Sequence, residues 1–285
     1  MVIYPDNEVM KIYVLAENTS RRPDLVAEHG LSLLVEACGR RLLFDTGASA
    51  AFADNAAKMG LDLSAVDACI ISHGHYDHGG GLPRFLQENT QASVWVSPHV
   101  FDPHYNARGK EIGLPPQLCS HERLCVAEAD SCTLFPGVVL HRALTMPMRY
   151  SAEGTGMQAV VQGERVADDF RHEQYLLLEE PGLRVLISGC SHRGILNIAT
   201  HFEPDVLVGG FHYMHCDAVA DATRLQHAAQ VLMGLRTHYY TGHCTGECAM
   251  QILQPRMGAR LHAFATGDVL RLGQEELSVK GAFCR

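Results

Sequence analysis

The segment Ile70–Gly81 places four potential metal ligands within six residues, directly after a short apolar run. His73 and His75 lie two positions apart, so in an extended chain their side chains point to the same side and can bind one cation. Asp77 and His78 are adjacent, so their side chains point in different directions and suit a second cation nearby. The glycines around them let the backbone turn sharply into the next helix. Imidazole and carboxylate ligands together favour zinc or a similar first-row metal, and a chance cluster of solvated histidines is the alternative.

Two further histidines follow apolar runs that are typical of short strands. His192 follows the predicted strand Arg184–Ser188, and His243 follows the predicted strand His238–Thr241. Each also precedes a predicted helix, and ligands between strand ends and helix starts are common in α/β sites. Both are therefore candidate metal ligands, with ordinary loop histidines as the alternative. His212 also ends a predicted strand, where it could face a substrate, orient a ligand or be an ordinary loop residue.

The cysteines admit more than one interpretation. The chain has 10 Cys but no C-x-x-C pair, which disfavours zinc ribbons and thioredoxin-type redox sites. No basic region followed by an apolar stretch opens the sequence, so we expect a cytoplasmic protein with reduced thiols. Cys190, at the end of a predicted strand, could be a thiolate ligand or a small buried residue.

The composition is that of a globular protein and limits its partners. Of 285 residues, 47% are apolar and 19% are charged, which excludes disorder, collagen and coiled coil. The 32 acidic and 23 basic residues give a net charge of −9, so a uniformly basic nucleic-acid surface is not expected. No apolar run approaches the roughly 20 residues of a membrane span. We therefore expect neither a nucleic acid nor a membrane as partner.

Short apolar runs alternate with helical patterns from end to end. Ser32–Glu36 and Arg41–Asp45 predict a hairpin, and Leu82–Glu88 predicts a helix. Hairpins at the start of each half, followed by alternating strands and helices, indicate an α/β fold with one mixed sheet or with two sheets and outer helices. Residues 101–128 contain three prolines and little periodicity. They are predicted to form an irregular excursion or lid within a single domain of residues 1–285.

The histidine-rich segment also resembles a known family. The pattern His73-x-His75-x-Asp77-His78 resembles the signature of the metallo-β-lactamase superfamily. Further segments carry the resemblance: Leu42–Gly47 is similar to the superfamily's first motif, and Ser188–Ile198, Gly209–His212 and Gly242–Gly246 are similar to its 7,8-dihydropterin-6-methyl-4-(β-D-ribofuranosyl)aminobenzene-5′-phosphate synthase-like group. The resemblance implies an αββα sandwich with a dinuclear metal site at the sheet edges.

The resemblance also implies what each site residue does. Two divalent metal ions are implied, Zn²⁺ or alternatively Mn²⁺ or Fe²⁺, each held by three side chains: His73, His75 and His192 for one ion, and Asp77, His78 and His243 for the other. Asp45, in the first motif, is implied to hydrogen-bond near the ligands without binding metal.

The sequence departs from the superfamily pattern at two places. No Thr-Pro-Gly-His-like segment supplies the usual third histidine near His141–Arg149, and we expect His192 to take its place. Other members carry an Asp that bridges the metals at a strand end, where this chain has Cys190.

The implied chemistry is attack by a metal-activated water on an ester, phosphoester, thioester or lactam, as in a phosphodiesterase or lactonase. The synthase-like group implies instead transfer of a pterin-methyl group from a pyrophosphate to an arylamine. Asp77 and His212 are the expected catalytic residues, and the expected substrate is a small anionic molecule. A metal-binding sensor without turnover is the non-enzyme alternative. A homo-oligomer is left open.

Two other activities of the superfamily are disfavoured. Flavodiiron-type reductases resemble His-x-Glu-x-Asp-His, whereas position 75 is His in this chain. An RNA-processing nuclease would need a basic groove, which the net charge of −9 disfavours.

Overall fold

Two large sheets stack face to face and carry helices on their outer faces. The computed structural model describes residues 9–154 and 156–273, so both ends of the expected 1–285 domain lie outside it. The strands are β1 Met10–Ala16, β2 Ser32–Ala37, β3 Arg40–Phe44, β4 Ala68–Ile70, β5 Ser93–Val96, β6 His104–Tyr105, β7 Leu124–Val126, β8 Ser131–Phe135, β9 Val138–His141, β10 Gln158–Val161, β11 Glu164–Ala167, β12 Tyr175–Glu180, β13 Leu183–Ile187, β14 Val206–Val208, β15 His238–Thr241, β16 Leu261–Ala263 and β17 Val269–Leu272.

The α-helices lie between strands along the chain. The α-helices are α1 Ala51–Lys58, α2 Tyr76–Gly79, α3 Leu82–Glu88, α4 Ile195–Phe202, α5 Ala222–Gly234 and α6 Glu247–Met257. Short 3₁₀ turns lie at Leu63–Ala65, Pro116–Ser120, His243–Thr245 and Gly258–Arg260. The helix predicted at Leu82–Glu88 has Pro83 in its first turn, where the missing amide hydrogen costs nothing.

The strands form two seven-stranded sheets, and β17, late in the described chain, returns to the edge of the first. The first has the strand order β17-β1-β2-β3-β4-β5-β7, and the second has the order β16-β15-β14-β13-β12-β9-β8. The run β3-β4-β5 is parallel in the first sheet, and β13-β14-β15-β16 is parallel in the second. Because the carboxyl ends of parallel strands meet at one edge, the loops that follow them can share a site.

The largest apolar cluster lies between the two sheets. Ile12 and Phe44 from the first sheet pack there with Leu176 and Val185 from the second, and all four side chains are fully buried. Alternate residues of each strand supply this layer, as the two-residue period of a strand requires.

Two more clusters cover the outer faces. Phe52 of α1 and Phe85 of α3 belong to the cluster on the outer face of the first sheet. Ile198 of α4, Leu225 of α5 and Leu253 of α6 belong to the cluster on the outer face of the second. The layers are therefore helix, sheet, sheet, helix, which confirms the αββα sandwich that the resemblance implied.

The segment 101–128 is more ordered than its sequence suggests. β7 (Leu124–Val126) completes the edge of the first sheet, and β6 (His104–Tyr105) pairs with β10 in a separate three-stranded sheet. Strands of two or three residues are too short to show periodicity, so the pattern could not reveal them. Among the described residues, no helix is both long and apolar enough to cross a membrane.

The layer between the sheets makes a testable prediction about stability. Leu176 is fully buried there, whereas Leu144 is 44% exposed. Leu176→Ala should lower the free energy of unfolding by about 2–5 kcal/mol, because it leaves a cavity between the sheets. The matched control Leu144→Ala should change it by no more than about 0.5 kcal/mol. Urea denaturation measures both, and equal effects would contradict this account of the core.

Candidate metal centre

The sequence-predicted ligands come together where the two sheets meet. His73 and His75 follow β4, Asp77 and His78 lie in α2, His192 lies between β13 and α4, and His243 follows β15. None of the six residues is more than 9% exposed. Side chains from two sheets therefore converge in one buried place.

Three imidazoles form the first group. His73 Nε2 lies 3.0 Å from His75 Nδ1 and 3.3 Å from His192 Nε2. His192, the residue that we expected to replace the missing third histidine, thus lies beside His73. His141 lies elsewhere, at the end of β9, where its ring packs against Phe202.

The second group consists of one carboxylate and two imidazoles. Asp77 Oδ2 lies 3.3 Å from His243 Nε2 and 3.8 Å from His78 Nε2. The two Nε2 atoms are 3.1 Å apart. In both groups the atoms face one another at distances that ligands of a single cation adopt.

The outer hydrogen bonds of these rings indicate which nitrogen of each ring faces the centre. His78 Nδ1 donates to Asp45 Oδ2 at 2.6 Å, and His243 Nδ1 donates to Asn18 Oδ1 at 3.0 Å. A neutral imidazole has one N–H, so each Nε2 is left as an acceptor. Two acceptors 3.1 Å apart in a buried site need a proton or a metal ion between them.

The same accounting applies to the first group. Ser72 Oγ donates to Asp45 Oδ2 at 2.7 Å, so it accepts the Nδ1 hydrogen of His73 at 2.8 Å. His73 Nε2 then carries a lone pair that faces His75 and His192. Asp45 itself is fully buried and reaches the ligands only through Ser72 and His78, the role that the resemblance implied.

Electrostatics favour the protonation states that ligands require. Burial and the surrounding imidazoles hold the pKa of His73 well below its usual 6.5. Burial opposes ionisation of Asp77, but His78 and His243 outweigh it and keep the pKa of that carboxyl well below its usual 3.8. Neutral imidazoles and an ionised carboxylate are the forms that bind metal.

His78 marks where positive charge is favoured. Burial lowers its pKa, but the carboxylates of Asp45 and Asp77 outweigh burial and raise the pKa to about 9. A group raised in this way binds its proton through neutral pH when no other cation is present. A metal ion at the same place would take over the role of that proton.

Cys190 lies between the two groups. Its Sγ is 3.1 Å from His78 Nε2, and the ligand atoms of His73, His78 and Cys190 all lie within 4.8 Å of one another. Burial and the neighbouring Cys244 raise the pKa of the Cys190 thiol well above its usual range. The thiol thus stands where other members of the superfamily are expected to carry their bridging carboxylate.

His212 borders the centre without joining either group. Its ring centroid is 4.2 Å from that of His192, with the rings edge to face. His212 Nδ1 is buried and has no hydrogen-bond partner among the described residues. The ring lines the cavity over the centre together with Asp77 and Cys190.

Several site residues adopt a left-handed backbone that non-glycine residues seldom use. The φ angles are 59° for Asp45, 58° for Ser191, 54° for His212 and 49° for His243. Such conformations cost about 1–3 kcal/mol each and cluster at functional sites. These conformations turn the backbone sharply after each strand, which brings the side chains over the sheet edges.

A buried network that the sequence analysis missed supports the first group. Gly74 N donates to His172 Nδ1 at 2.9 Å, so the proton of His172 is on Nε2, which donates to Asp168 at 3.2 Å. His104 Nδ1 lies 3.1 Å from the same carboxylate oxygen. Since the hydrogen bonds already occupy both nitrogens of His172, this network fixes the backbone between His73 and His75 rather than forming a third cation site.

His29 was also missed, because it precedes β2 with no periodic or motif signal around it. His29 Nε2 lies 3.4 Å from Asp77 Oδ2, and the side chain is 44% exposed. It stands at the rim of the cavity over the centre.

The cavity over the centre opens into a larger groove. The inner cavity, about 190 Å³, is lined by His75, Asp77, His192 and His212. The groove measures about 910 Å³ and shares His212 with the inner cavity. A substrate entering through the groove would reach the facing lone pairs from one side.

Comparisons with known proteins agree with this architecture. A family model described as the metallo-beta-lactamase superfamily matches residues 25–153. A solved structure described as Tm1679, a metal-dependent hydrolase of the β-lactamase superfamily, has a TM-score of 0.78 and 28% identity, covering 93% of this chain and 100% of that one. Residues 25–153 therefore match the model of the metallo-β-lactamase superfamily, and the chain shares the fold of that solved structure. The family predicted from the His73–His78 pattern is confirmed.

Two curated relatives come from Methanocaldococcus jannaschii. The 7,8-dihydropterin-6-methyl-4-(β-D-ribofuranosyl)-aminobenzene-5′-phosphate synthase is 28% identical over 291 residues, covering 92% of this chain and 96% of the relative. The uncharacterized protein MJ0448 is 28% identical over 211 residues, covering 70% of this chain and 78% of the relative. The similarity to the synthase-like group that the later motifs indicated is therefore present along most of the chain.

The position of Cys190 generates a spectroscopic prediction. Protein loaded with Co²⁺ should show a thiolate-to-cobalt charge-transfer band, because Cys190 Sγ lies among the ligand nitrogens. Cys190→Ser should abolish the band. Cys69→Ser is the matched control, since Cys69 is also buried but lies in β4 and in none of the clusters of potential metal ligands among the described residues. A band that Cys190→Ser leaves unchanged would assign the wrong thiol, and the absence of a band would leave Cys190 as a packing residue.

Proposed function

We propose that this chain is a metal-dependent enzyme that cleaves or transfers a phosphate-type ester of a small organic molecule at a centre of two divalent cations. Zn²⁺ is the first candidate, with Mn²⁺ and Fe²⁺ as alternatives. The observation that carries the proposal is the 3.1 Å contact, in a buried site, between the Nε2 atoms of His78 and His243, whose Nδ1 atoms both donate outward and whose close approach requires a cation between them. Similarity to a superfamily of metal-dependent enzymes supports it.

The proposed ligand sets follow the two groups of facing atoms. One cation is assigned to His73, His75 and His192, and the other to Asp77, His78 and His243. Two divalent cations bound there would polarise a phosphoryl or carbonyl oxygen and lower the pKa of water. Three donors per ion leave coordination positions for substrate, as a catalytic site requires.

Within this proposal, two residues act on the substrate side. Asp77 is the only carboxylate of the two groups, so it would bind its cation and partly neutralise the positive charge. His212 presents a buried Nδ1 without a partner to the cavity, and we assign it to contact the substrate. Its ring is held edge to face against His192, which fixes where that contact can form.

The shape of the site favours a substrate of two unequal parts. The inner cavity of about 190 Å³ suits a compact reacting group, and the groove of about 910 Å³ suits a larger organic body. Arg108 and His215 line the groove and can meet an anionic group. Arg224, also in the groove, is already engaged by Glu153 and Asp221.

Hydrolysis and group transfer are both compatible with this arrangement. Similarity to a structure described as a metal-dependent hydrolase favours the first. Similarity over 92% of the chain to a synthase whose name includes a dihydropterin and a phosphate favours the second. A sensor that binds metal without turnover remains the non-enzyme alternative, and the activity test below separates it from both.

Zinc titration tests the ligand assignment. Wild-type protein should hold close to two zinc ions, one for each proposed ligand group. His192→Ala should lose one of them to a competing chelator, because it removes one of three nitrogens of the first group. His141→Ala is the matched control and should retain both, since His141 packs against Phe202 away from the centre. The reverse result would move the third histidine to the usual position of the superfamily.

Turnover tests the activity. Metal-loaded protein should hydrolyse a chromogenic phosphodiester such as bis(p-nitrophenyl) phosphate, or release pyrophosphate from a pterin-methyl pyrophosphate when an arylamine is supplied. Dialysis against a chelator should abolish the activity and added Zn²⁺ or Mn²⁺ should restore it. Zinc-replete protein that is inactive on phosphoesters, lactones and pyrophosphates alike would favour the sensor.

A further inference from the structure

Each segment that carries a proposed ligand donates a backbone amide to a buried carboxylate. Asp45 Oδ1 accepts from Ser72 N at 2.7 Å, next to His73. Glu173 and Glu17 accept in the same way from the segments of His192 and His243. Neither glutamate belongs to a motif of the superfamily that the sequence displays, and neither was expected at the site.

Glu173 is fully buried directly before β12. Its Oε1 accepts from the amide of His192 at 2.7 Å, and its Oε2 accepts from the amide of Arg193 at 3.1 Å and the hydroxyl of Tyr175 at 2.7 Å. Its oxygens therefore bind the turn itself. They do so one residue beyond Ser191, whose φ of 58° makes that turn costly.

Glu17 performs the same task after β1. It is 4% exposed, and its Oε1 accepts from the amide of His243 at 2.7 Å. Its Oε2 accepts from the amide and the hydroxyl of Thr19, each at 2.6 Å. His243 has a φ of 49°, so this contact holds a backbone that would otherwise relax.

We propose that Glu173 and Glu17 are positioning residues, each of which sets one histidine of the metal centre through the backbone amide of that histidine. Glu173 positions His192, and Glu17 positions His243. The proposal rests on the proposed function, since it assumes that both histidines hold metal. Both carboxylates already accept three hydrogen bonds, so they act through these amides and not as ligands.

The physical reason is that the backbone amide and the imidazole ring of a histidine are joined through the same Cα, only a few bonds apart. The direction of a histidine side chain is set by the backbone at its own Cα, and a metal site tolerates only small displacements of a ligand atom. A charged acceptor bonds an amide more strongly than a neutral one does.

Stepwise zinc affinity tests the proposal with near-isosteric variants. Glu173→Gln replaces one acceptor oxygen by an amide donor, so it cannot satisfy all three hydrogen-bond donors. We expect it to lower the affinity for one of the two zinc ions by roughly 10–100-fold, the usual effect of removing a group that orients a ligand. Glu17→Gln should lower the affinity for the other ion by a similar factor, and the double variant should lower both affinities. A chromophoric chelator competing for zinc measures each step.

Combination with ligand variants separates positioning from general destabilisation. If Glu173 acts through His192, Glu173→Gln should lower the zinc affinity no further when His192→Ala is already present. In a His243→Ala background, by contrast, Glu173→Gln should lower the affinity for the ion that remains. The same pair of tests applies to Glu17 with the backgrounds exchanged.

The controls remove other donors from the same carboxylates. Tyr175→Phe takes one hydrogen bond from Glu173 and Thr19→Val takes one from Glu17, and both leave the histidine amides in place. Both should keep wild-type zinc affinity. Circular dichroism and thermal melting in excess chelator, where no metal contributes, report whether each variant still folds.

The outcomes are distinct. Wild-type affinity in both Gln variants, with two zinc ions in wild type, would overturn this proposal and leave the proposed function intact. An equal loss of affinity with and without His192 would also overturn it, because Glu173 would then act on the whole fold. A wild-type protein that binds no zinc would overturn the proposed function and this proposal together.

Discussion

The contact between His78 Nε2 and His243 Nε2 is the constraint on which the rest of the site depends. His78 follows β4 of the first sheet, and His243 follows β15 of the second. Two lone pairs at 3.1 Å repel unless a cation lies between them. The packing between the sheets must therefore hold close together, at a fixed spacing, two atoms that repel each other until a cation lies between them.

Outer hydrogen bonds decide which nitrogen faces the centre for three of the rings, those of His73, His78 and His243. Asp45 takes the Nδ1 hydrogen of His78, Asn18 takes that of His243 and Ser72 takes that of His73. Without these acceptors, each ring could turn its N–H inward and donate to a neighbour instead. The acceptors lie in loops that follow strands, so the strand order of the sandwich selects the tautomers.

The sequence predicted the parts of this arrangement that are local or that end a strand. His73, His75, Asp77 and His78 lie within six residues, and His192 follows an apolar run, so spacing alone marked them. The network of His104, Asp168 and His172 could not be found in this way. His104 lies 64 residues before Asp168 in the sequence, and only the folded chain shows that the three side chains are buried together beside His75. Glu17 and Glu173 were hidden for the same reason, since a glutamate beside a strand is ordinarily a solvated residue.

Charge links the acidic chain to an anionic substrate. The chain carries a net charge of −9, which would repel a phosphate in the absence of a local cation. The two proposed ligand groups contain a single carboxylate, that of Asp77, and five neutral imidazoles, so two bound dications would exceed the negative charge of their ligands. Asp45, Glu17 and Glu173 are buried and lie outside the two ligand groups. The positive charge of the cations would therefore be least offset at the cavity, through which a substrate in the groove can approach.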